Sequence, residues 1–127
     1  MSGLLAEALY RLGRDVEALE ATELGERSAA PDDVLSHVIW RSVRAKLLAR
    51  AGELAQAERL ALDAVALVVG TDDLSHAGDA STSLATVLLA AGKTEDARAA
   101  ALKALELYGR KGNVASAPRA QSLLGES

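Results

Sequence analysis

Three turn glycines and the small residues around them constrain the fold of this chain more than any other feature. Gly13, Gly52 and Gly92 are evenly spaced to within one position, and this spacing defines one repeat length. Around each glycine, a leucine lies four positions before, and alanine or glycine lies seven before, five after and twelve after. These positions are Leu9, Leu48 and Leu88; Ala6, Ala45 and Ala85; Ala18, Ala57 and Ala97; and Gly25, Ala64 and Ala104. So many matched positions predict three copies of one structural unit.

The stretch around Gly52 indicates what each unit contains. On both sides of this glycine, apolar residues recur at spacings of three and four, which places them along one face of a helix. They are Val38, Trp40, Val43, Leu47 and Leu48 before it, and Leu54, Ala57, Leu60, Ala61, Ala64, Val65 and Val68 after it. Glycine permits a sharp reversal between two helices. Each unit is therefore predicted to be a helical hairpin.

Over the whole chain, the pattern predicts one all-α domain in which antiparallel hairpins stack as a solenoid. Three hairpins are expected at about 4–27, 34–69 and 74–108, followed by a short C-terminal helix at about 117–124. Composition agrees, because half of the residues are hydrophobic, aromatic residues make up only 2%, and alanine and leucine dominate. Alanine favours helix and lets helices approach closely.

Two local alternatives concern helix starts. Asp32 or Asp33 is available to cap the helix that follows the first linker. In the tail, Asn113 could cap a helix with Pro118 inside it, or Ser116 could cap a helix with Pro118 in its first turn. We favour the second alternative, since proline is tolerated in the first turn of a helix.

Charge and composition argue against several classes of function. The net charge is −4 and the isoelectric point about 5.2, so no overall basic field attracts nucleic acid or an anionic membrane. The absence of cysteine excludes disulfides and thiolate chemistry. No apolar run approaches the length of a membrane span, and Glu7 interrupts the N-terminal segment too early for a signal peptide. The sequence therefore predicts a cytoplasmic protein.

The residues that could carry chemistry do not form a known catalytic pattern. His37 and His76 lie one repeat apart at matching positions, too far from each other for one metal ion without rearrangement, and a metal site would need further ligands. Asp73, Ser75 and His76 are neighbours at a helix start and point in different directions, which is not the geometry of a catalytic triad. The segment 109–112 lacks the spacing of a phosphate-binding loop. We predict no enzymatic activity, no metal and no cofactor.

The repeat resembles the tetratricopeptide repeat, in which a small residue, a large residue, a turn glycine and an alanine follow one another at fixed spacing. These places are filled by Ala45, Leu48, Gly52 and Ala57, and again by Ala85, Leu88, Gly92 and Ala97. The period here exceeds the usual length of about 34 residues, and the aromatic positions hold leucine or alanine. The resemblance implies a right-handed solenoid in which the first helix of each hairpin lines a concave groove.

By this resemblance, the groove is a binding surface with a basic centre at Lys46 and Arg50, suited to an acidic peptide. The predicted groove residues are Glu7, Tyr10, Arg11, Ile39, Ser42, Lys46, Arg50, Asp79, Thr82, Thr86 and Leu89. Trp40, the single tryptophan, is expected to pack against the first hairpin rather than to serve as a ligand platform.

A narrower resemblance concerns residues 105–113, which are similar to the last repeat of large actinobacterial multidomain regulators. In those regulators, a nucleotide cyclase or a transcription factor is joined to an ATPase and a repeat tail. The resemblance implies a protein–protein interaction module that is the regulatory or assembly tail of a larger protein. The alternative is a small-ligand-sensing helical domain that controls such an attached part. We also expect the chain to dimerise through its first hairpin, without binding nucleic acid or membrane.

Overall fold

The computed structural model describes residues 2–124, with side chains from residue 5 onward, and these residues form helices without any strand. The all-α prediction is therefore confirmed over the described part of the chain. The helices are α1 (Ser2–Arg11), α2 (Asp15–Ser28), α3 (Val34–Arg50), α4 (Leu54–Val69), α5 (Leu74–Ala90), α6 (Thr94–Lys111) and α7 (Ala117–Ser122).

The three repeat glycines end α1, α3 and α5 in the same way. Gly13, Gly52 and Gly92 have φ angles of 77°, 89° and 77°, a left-handed conformation that is strained for residues with a side chain. The residue after each glycine donates its backbone N–H to the carbonyl of the leucine four positions before the glycine, at 2.9 Å in all three turns. The leucine and glycine positions of the repeat thus belong to one helix-ending hydrogen-bond motif.

Two aspartates, one repeat apart, begin α3 and α5. Asp33 accepts a hydrogen bond from the backbone N–H of Ser36 at 3.2 Å, and Asp73 accepts one from that of His76 at 2.9 Å. The hydrogen bonds that Ser36 donates from its side chain and backbone hold the pKa of Asp33 below its usual value. The structure therefore assigns the first cap to Asp33 rather than to Asp32.

In the tail, the residue at the repeat position of these two caps makes the same kind of backbone hydrogen bond but does not start a helix directly. Asn113 lies one repeat after Asp73, and its Oδ1 accepts a hydrogen bond from the backbone N–H of Ser116 at 3.2 Å. Pro118 lacks the N–H that would continue a helix from this cap, and α7 begins only at Ala117. The favoured alternative places the helix correctly, but the side chain of Ser116 makes no capping bond. α7 ends at Ser122, slightly before the predicted end.

The buried core is built largely from the small residues of the repeat. The alanines seven positions before and five after the turn glycines are fully buried, namely Ala6, Ala45, Ala85, Ala18, Ala57 and Ala97. In the first hairpin they pack against Val43 and Leu47 of α3, and in the second they pack near Val87 of α5. The alanine pairs of the first two hairpins thus make room for larger side chains of the following hairpin.

Helix contacts place the first helices of the hairpins side by side. Each helix packs against the next one along the chain, and α1 also contacts α3, while α3 contacts α5. The inner faces of α1, α3 and α5 therefore form one continuous surface, on which the candidate site lies.

Gly78 lets a buried tyrosine approach the backbone of α5. A Cβ added at this glycine would lie 2.7 Å from Cδ1 of Tyr108 and closer still to the neighbouring ring carbon. Tyr108, only 1% exposed, reaches past Gly78 and donates a hydrogen bond of 2.5 Å to Asp79. Burial raises the pKa of Tyr108, and the hydrogen bond to Asp79 raises it further. Glycine weakens a helix locally, but Gly78 is needed at this position for the packing of Tyr108.

Candidate functional site

The first helices of the hairpins surround a cavity of about 490 Å³, here called the inner pocket. α1, α3 and α5 supply most of its lining, and the C-terminal segment around α7 adds residues at one side. The predicted groove residues in the lining are Glu7, Tyr10, Arg11, Ile39, Ser42, Lys46, Asp79, Thr82 and Thr86. The other two predicted groove residues, Arg50 and Leu89, lie outside the lining. Residues from opposite ends of the chain are therefore brought to one site.

An ion pair joins α1 to α3 at the pocket wall. Nζ of Lys46 lies 2.7 Å from Oε1 of Glu7, whose other oxygen lies 2.8 Å from Nε of Arg11. Burial raises the pKa of Glu7, but Lys46 and Arg11 outweigh that effect and the net pKa is lowered. The side chain of Lys46 is only 9% exposed, and burial lowers its pKa despite the opposing effect of Glu7. The ammonium of Lys46 also lies 4.5 Å from the centre of the Tyr10 ring.

Arg50 turns away from the pocket toward the first hairpin. Its Nη1 lies 2.5 Å from Oδ1 of Asp15 and 3.2 Å from the carbonyl oxygen of Tyr10. Its guanidinium carbon lies 4.0 Å from the centre of the Tyr10 ring. Both cations of the predicted basic centre are therefore paired with carboxylates of the first hairpin, Lys46 with Glu7 and Arg50 with Asp15. The two ion pairs could not be predicted from the sequence, because both carboxylates lie in the preceding hairpin, far from their partners along the chain.

The opposite wall of the pocket belongs to α5. Asp79 accepts the hydrogen bond of Tyr108, and the hydroxyl groups of Thr82 and Tyr108 are 3.3 Å apart. The hydroxyl of Thr86 donates to the carbonyl of Thr82 at 3.1 Å, so its oxygen can still accept a hydrogen bond from the pocket. Ser42, across the pocket on α3, has a buried hydroxyl with no hydrogen-bond partner among the described residues.

The sequence analysis did not anticipate that α7 contributes to the site. Arg119, Ser122 and Leu123 line the inner pocket, and they lie one repeat after Asp79, Thr82 and Ser83, which also line it. The residues that α7 and Leu123 contribute to the pocket therefore occupy the same positions of the repeat as those that α5 contributes. Asn113 lies one repeat after Asp73, and this spacing was the sequence signal that could have predicted that the tail continues the repeat. The remaining unpredicted lining residues are Val38, Val43, His76 and Ala80.

The two histidines occupy matching repeat positions but have different partners. Nδ1 of His37 accepts a hydrogen bond from Nε1 of Trp40 at 3.1 Å, and its Nε2 lies 3.0 Å from the carbonyl oxygen of Ala30. Together these contacts assign the proton of the neutral ring to Nε2. Nδ1 of His76 lies 2.7 Å from Oδ2 of Asp73. Within residues 2–124, no group of three His, Asp or Glu side chains could hold a metal ion.

Trp40 lies in a polar cluster that connects α3 to α2. It is buried, with the guanidinium carbons of Arg41 and Arg44 at 4.4 and 4.5 Å from its ring centre. Arg44 in turn lies 2.9 Å from a carboxylate oxygen of Glu26 and 3.2 Å from the hydroxyl of Thr22, both on α2. The tryptophan therefore supports the junction with the first hairpin through arginine, outside the inner pocket.

Compared with models of protein families, with curated proteins and with solved structures, the chain gives no match. The resemblance to tetratricopeptide repeats therefore stays a prediction from the sequence. None of the helices described for residues 2–124 combines the length and the apolar character needed to cross a lipid bilayer.

Proposed function

We propose that this domain is a protein–protein interaction module of the helical-repeat type, which binds a segment of its partner in the inner pocket. The observation that carries the proposal is the convergence of side chains from α1, α3, α5 and α7 on one cavity. The contacts of α1 with α3 and of α3 with α5 support a solenoid of stacked hairpins, right-handed as in tetratricopeptide repeats. Such a frame holds the pocket side chains in place before binding and lowers the ordering cost of association.

The proposed context is the regulatory or assembly tail of a larger cytoplasmic signalling or transcriptional regulator. This part of the proposal is supported only by the resemblance of residues 105–113 to the last repeat of actinobacterial regulators. The domain itself acts by binding, and catalysis belongs to another part of such a protein.

A library of peptides displayed on phage, selected on the full chain, tests the binding role of the pocket. Thr86→Trp places a large side chain in the pocket lining, whereas Thr94→Trp adds the same side chain at the exposed start of α6. We expect the selected peptides to lose binding to Thr86→Trp and to keep it with Thr94→Trp. Equal binding to both variants, with both folded by circular dichroism, would show that the pocket is not the binding site.

A second candidate function is the sensing of a small ligand. The pocket volume of about 490 Å³ falls within the range of roughly 300–1,000 Å³ found for small-molecule sites. Helices bound the pocket on several sides. Selection of no peptide, together with binding of a small molecule in the pocket, favours this candidate over the first.

We further propose that two copies associate through the first hairpin. Leu12 and Val16, at the turn between α1 and α2, are 70% and 75% exposed. Leu5, Leu19 and Leu24 of the same hairpin are also exposed. Exposed large apolar side chains are typical of an association site where they form a patch, and this hairpin carries several of them.

A further inference from the structure

Three side chains on the α5 wall of the inner pocket present oxygen atoms that can only accept hydrogen bonds. The hydroxyl of Thr82 donates to the backbone carbonyl of Gly78 at 2.9 Å, and the hydroxyl of Thr86 donates to the carbonyl of Thr82 at 3.1 Å. Asp79 is a carboxylate, and its Oδ1 accepts the hydrogen bond of Tyr108. The lone pairs that remain on these three side chains therefore suit a ligand with hydrogen-bond donors.

The three acceptors lie together on one face of α5. Asp79, Thr82 and Thr86 are three and four positions apart, which is the spacing of neighbours along a helix surface. All three line the inner pocket and are half-buried. One donor group with several N–H bonds can therefore meet them from the pocket side.

Asp79 differs from the other carboxylate of the lining because it has no cationic partner. The oxygens of Glu7 lie 2.7 Å from Lys46 and 2.8 Å from Arg11, whereas none of the ion pairs among the described side chains includes Asp79. Tyr108 donates a hydrogen bond to Asp79, but a neutral phenol does not balance the charge. A half-buried carboxylate interacts more strongly with a cation than an exposed one, because water screens it less.

The other polar groups near Asp79 in the lining leave this preference in place. Arg119 lines the pocket from α7, but it is exposed to solvent, which screens its charge. Nδ1 of His76 faces a different carboxylate, because it lies 2.7 Å from Oδ2 of Asp73. The hydroxyl of Ser83 can donate or accept a hydrogen bond. Asp79 is thus the charged group of the α5 wall that a ligand would meet.

We propose that the inner pocket binds a primary ammonium group on a short apolar stem, with the ammonium on Asp79, Thr82 and Thr86 and the stem against Ile39 and Leu123. The three N–H bonds of an ammonium match the three acceptors, and hydrogen bonds between charged groups are the strong ones. Ile39 and Leu123 are half-buried apolar residues of the same lining.

A lysine side chain has this chemistry, since it carries an ammonium on a flexible four-carbon stem. We assign the group to a lysine in the segment that the partner inserts into the pocket. This inference deepens the proposed function and rests on it, because it names the side chain that the inner pocket recognises. The sequence analysis expected an acidic peptide, and the two expectations differ in the sign of the bound charge.

The test is an NMR titration of the full chain, uniformly labelled with ¹⁵N, with four probes that share a four-carbon stem. The probes are n-butylamine, n-butanol, n-butyltrimethylammonium and pentanoate. We expect n-butylamine to shift the amides of α5 around the three acceptors in a saturable way. The other probes should bind at least about tenfold more weakly, because they lack the charge, lack the N–H donors or carry the opposite charge.

Two substitutions on α5 and one control locate the ammonium. Asp79→Asn keeps an oxygen that can accept the Tyr108 hydrogen bond but removes the charge, and should weaken n-butylamine binding about tenfold. Thr86→Val removes one acceptor at nearly the same volume and should weaken it about fivefold. Asp63→Asn, at an exposed position on α4 outside the lining, should leave it unchanged. Arg119→Gln removes a cation from the lining and should bind n-butylamine at least as tightly as the wild type.

Several results would overturn the assignment of an ammonium. They are equal binding of n-butanol or n-butyltrimethylammonium, tighter binding of pentanoate, and unchanged binding of n-butylamine in both Asp79→Asn and Thr86→Val when circular dichroism shows these variants folded. If no probe shifts the α5 amides, the ammonium assignment falls. The peptides selected on the full chain then still decide whether the pocket binds a partner.

The selected peptides also identify the source of the ammonium. We expect them to contain a lysine whose replacement by norleucine weakens binding to the wild type about tenfold and weakens binding to Asp79→Asn much less. Peptides that bind in the pocket without such a lysine would overturn the assignment to the partner. Binding of n-butylamine together with lysine-independent peptides would assign the site to a free amine instead.

Discussion

At the scale of single residues, the site depends on a few close contacts that general propensities do not anticipate. A glycine inside a helix normally lowers its stability relative to alanine. At Gly78, however, the missing side chain leaves room for the ring of Tyr108, whose hydroxyl binds Asp79 at the pocket wall. The local cost in α5 is therefore compensated by the packing of α6 against it.

This contact predicts opposite effects for two glycine substitutions. Gly78→Ala should lower the free energy of unfolding by about 1–3 kcal/mol, because the new methyl group collides with a buried ring. Gly109→Ala, at a position in α6 where an added Cβ meets nothing within 4 Å, should raise it by about 0.5–1 kcal/mol through helix propensity. Urea denaturation followed by circular dichroism measures both. A Gly78→Ala protein as stable as the wild type would contradict the packing role.

The Lys46–Glu7 pair predicts a pKa change that NMR can measure. The folded-state pKa of Glu7 lies below 4.5, so the pair contributes stability above about pH 4.5 and loses it as the pH falls through the folded pKa. In Lys46→Met, the ammonium that lowers the pKa of Glu7 is gone and the burial that raises it remains, so the pKa of Glu7 should rise. Lys103→Met, at an exposed position on α6, is the control. A carboxyl titration that gives the same Glu7 pKa in all three proteins would refute the coupling.

Sequence reasoning predicted the residues that set backbone geometry better than those that set the electrostatics of the site. The glycine and leucine positions could be found because a left-handed turn demands glycine wherever it recurs. The pairing of Arg50 with Asp15 could not be found, because it depends on which rotamer a long side chain adopts across two hairpins. For this reason the sequence analysis placed a basic centre at Lys46 and Arg50 without the carboxylates that pair with them.

At the scale of helices, each hairpin is held together by alanines that allow close approach. Ala57, five positions after Gly52, is fully buried and packs with Ala45, Ala61 and Val87 in one cluster. A larger side chain has no space at this position without separating α4 from its neighbours. The small residues of the repeat thus fix the distances on which the lining of the pocket depends.

Ala57→Leu should therefore lower the free energy of unfolding by about 1–3 kcal/mol. Ala55→Leu places the same side chain at an exposed position on the same helix and should change stability little. Thermal denaturation of both variants compares them directly. Equal stability of the two variants would mean that α4 does not pack as closely as described.

The sequence analysis did not predict that α7 lines the inner pocket, and the reason is physical. Pro118 interrupts the helix that the cap at Asn113 would start, so the tail loses the periodic pattern by which the other helices were recognised. Its register persists in the hydrogen bond of Asn113 and in the burial of Ala120 against Ala104 and Tyr108.

At the scale of the whole molecule, the inner pocket and the exposed apolar side chains of the first hairpin are formed by different residues. The pocket is lined by the inner faces of the odd-numbered helices, whereas Leu12 and Val16 are exposed at the turn between α1 and α2. Association through the first hairpin would therefore leave the lining from α5 and α7 accessible. Binding and dimerisation can be altered separately by substitution.

Dimerisation through the first hairpin is checked by size-exclusion chromatography with light scattering over a concentration series. We expect a dimer that dissociates on dilution, and a monomer at all concentrations for Val16→Glu, because a charge replaces an apolar contact. Val114→Glu changes another exposed valine, in the turn before α7, and should dimerise as the wild type does. A wild-type chain that is monomeric at high concentration would rule out this interface.

The account depends most on the claim that α1, α3, α5 and α7 converge on one pocket. Nuclear Overhauser contacts in the full chain, labelled with ¹³C and ¹⁵N, test this most directly. The structure predicts contacts from the Tyr10 ring to the Lys46 side chain, and from the Tyr108 ring to both Gly78 and Ala120. An assigned spectrum without the Tyr10–Lys46 contact, or without that of Tyr108 with Ala120, would contradict the pocket and the proposals built on it.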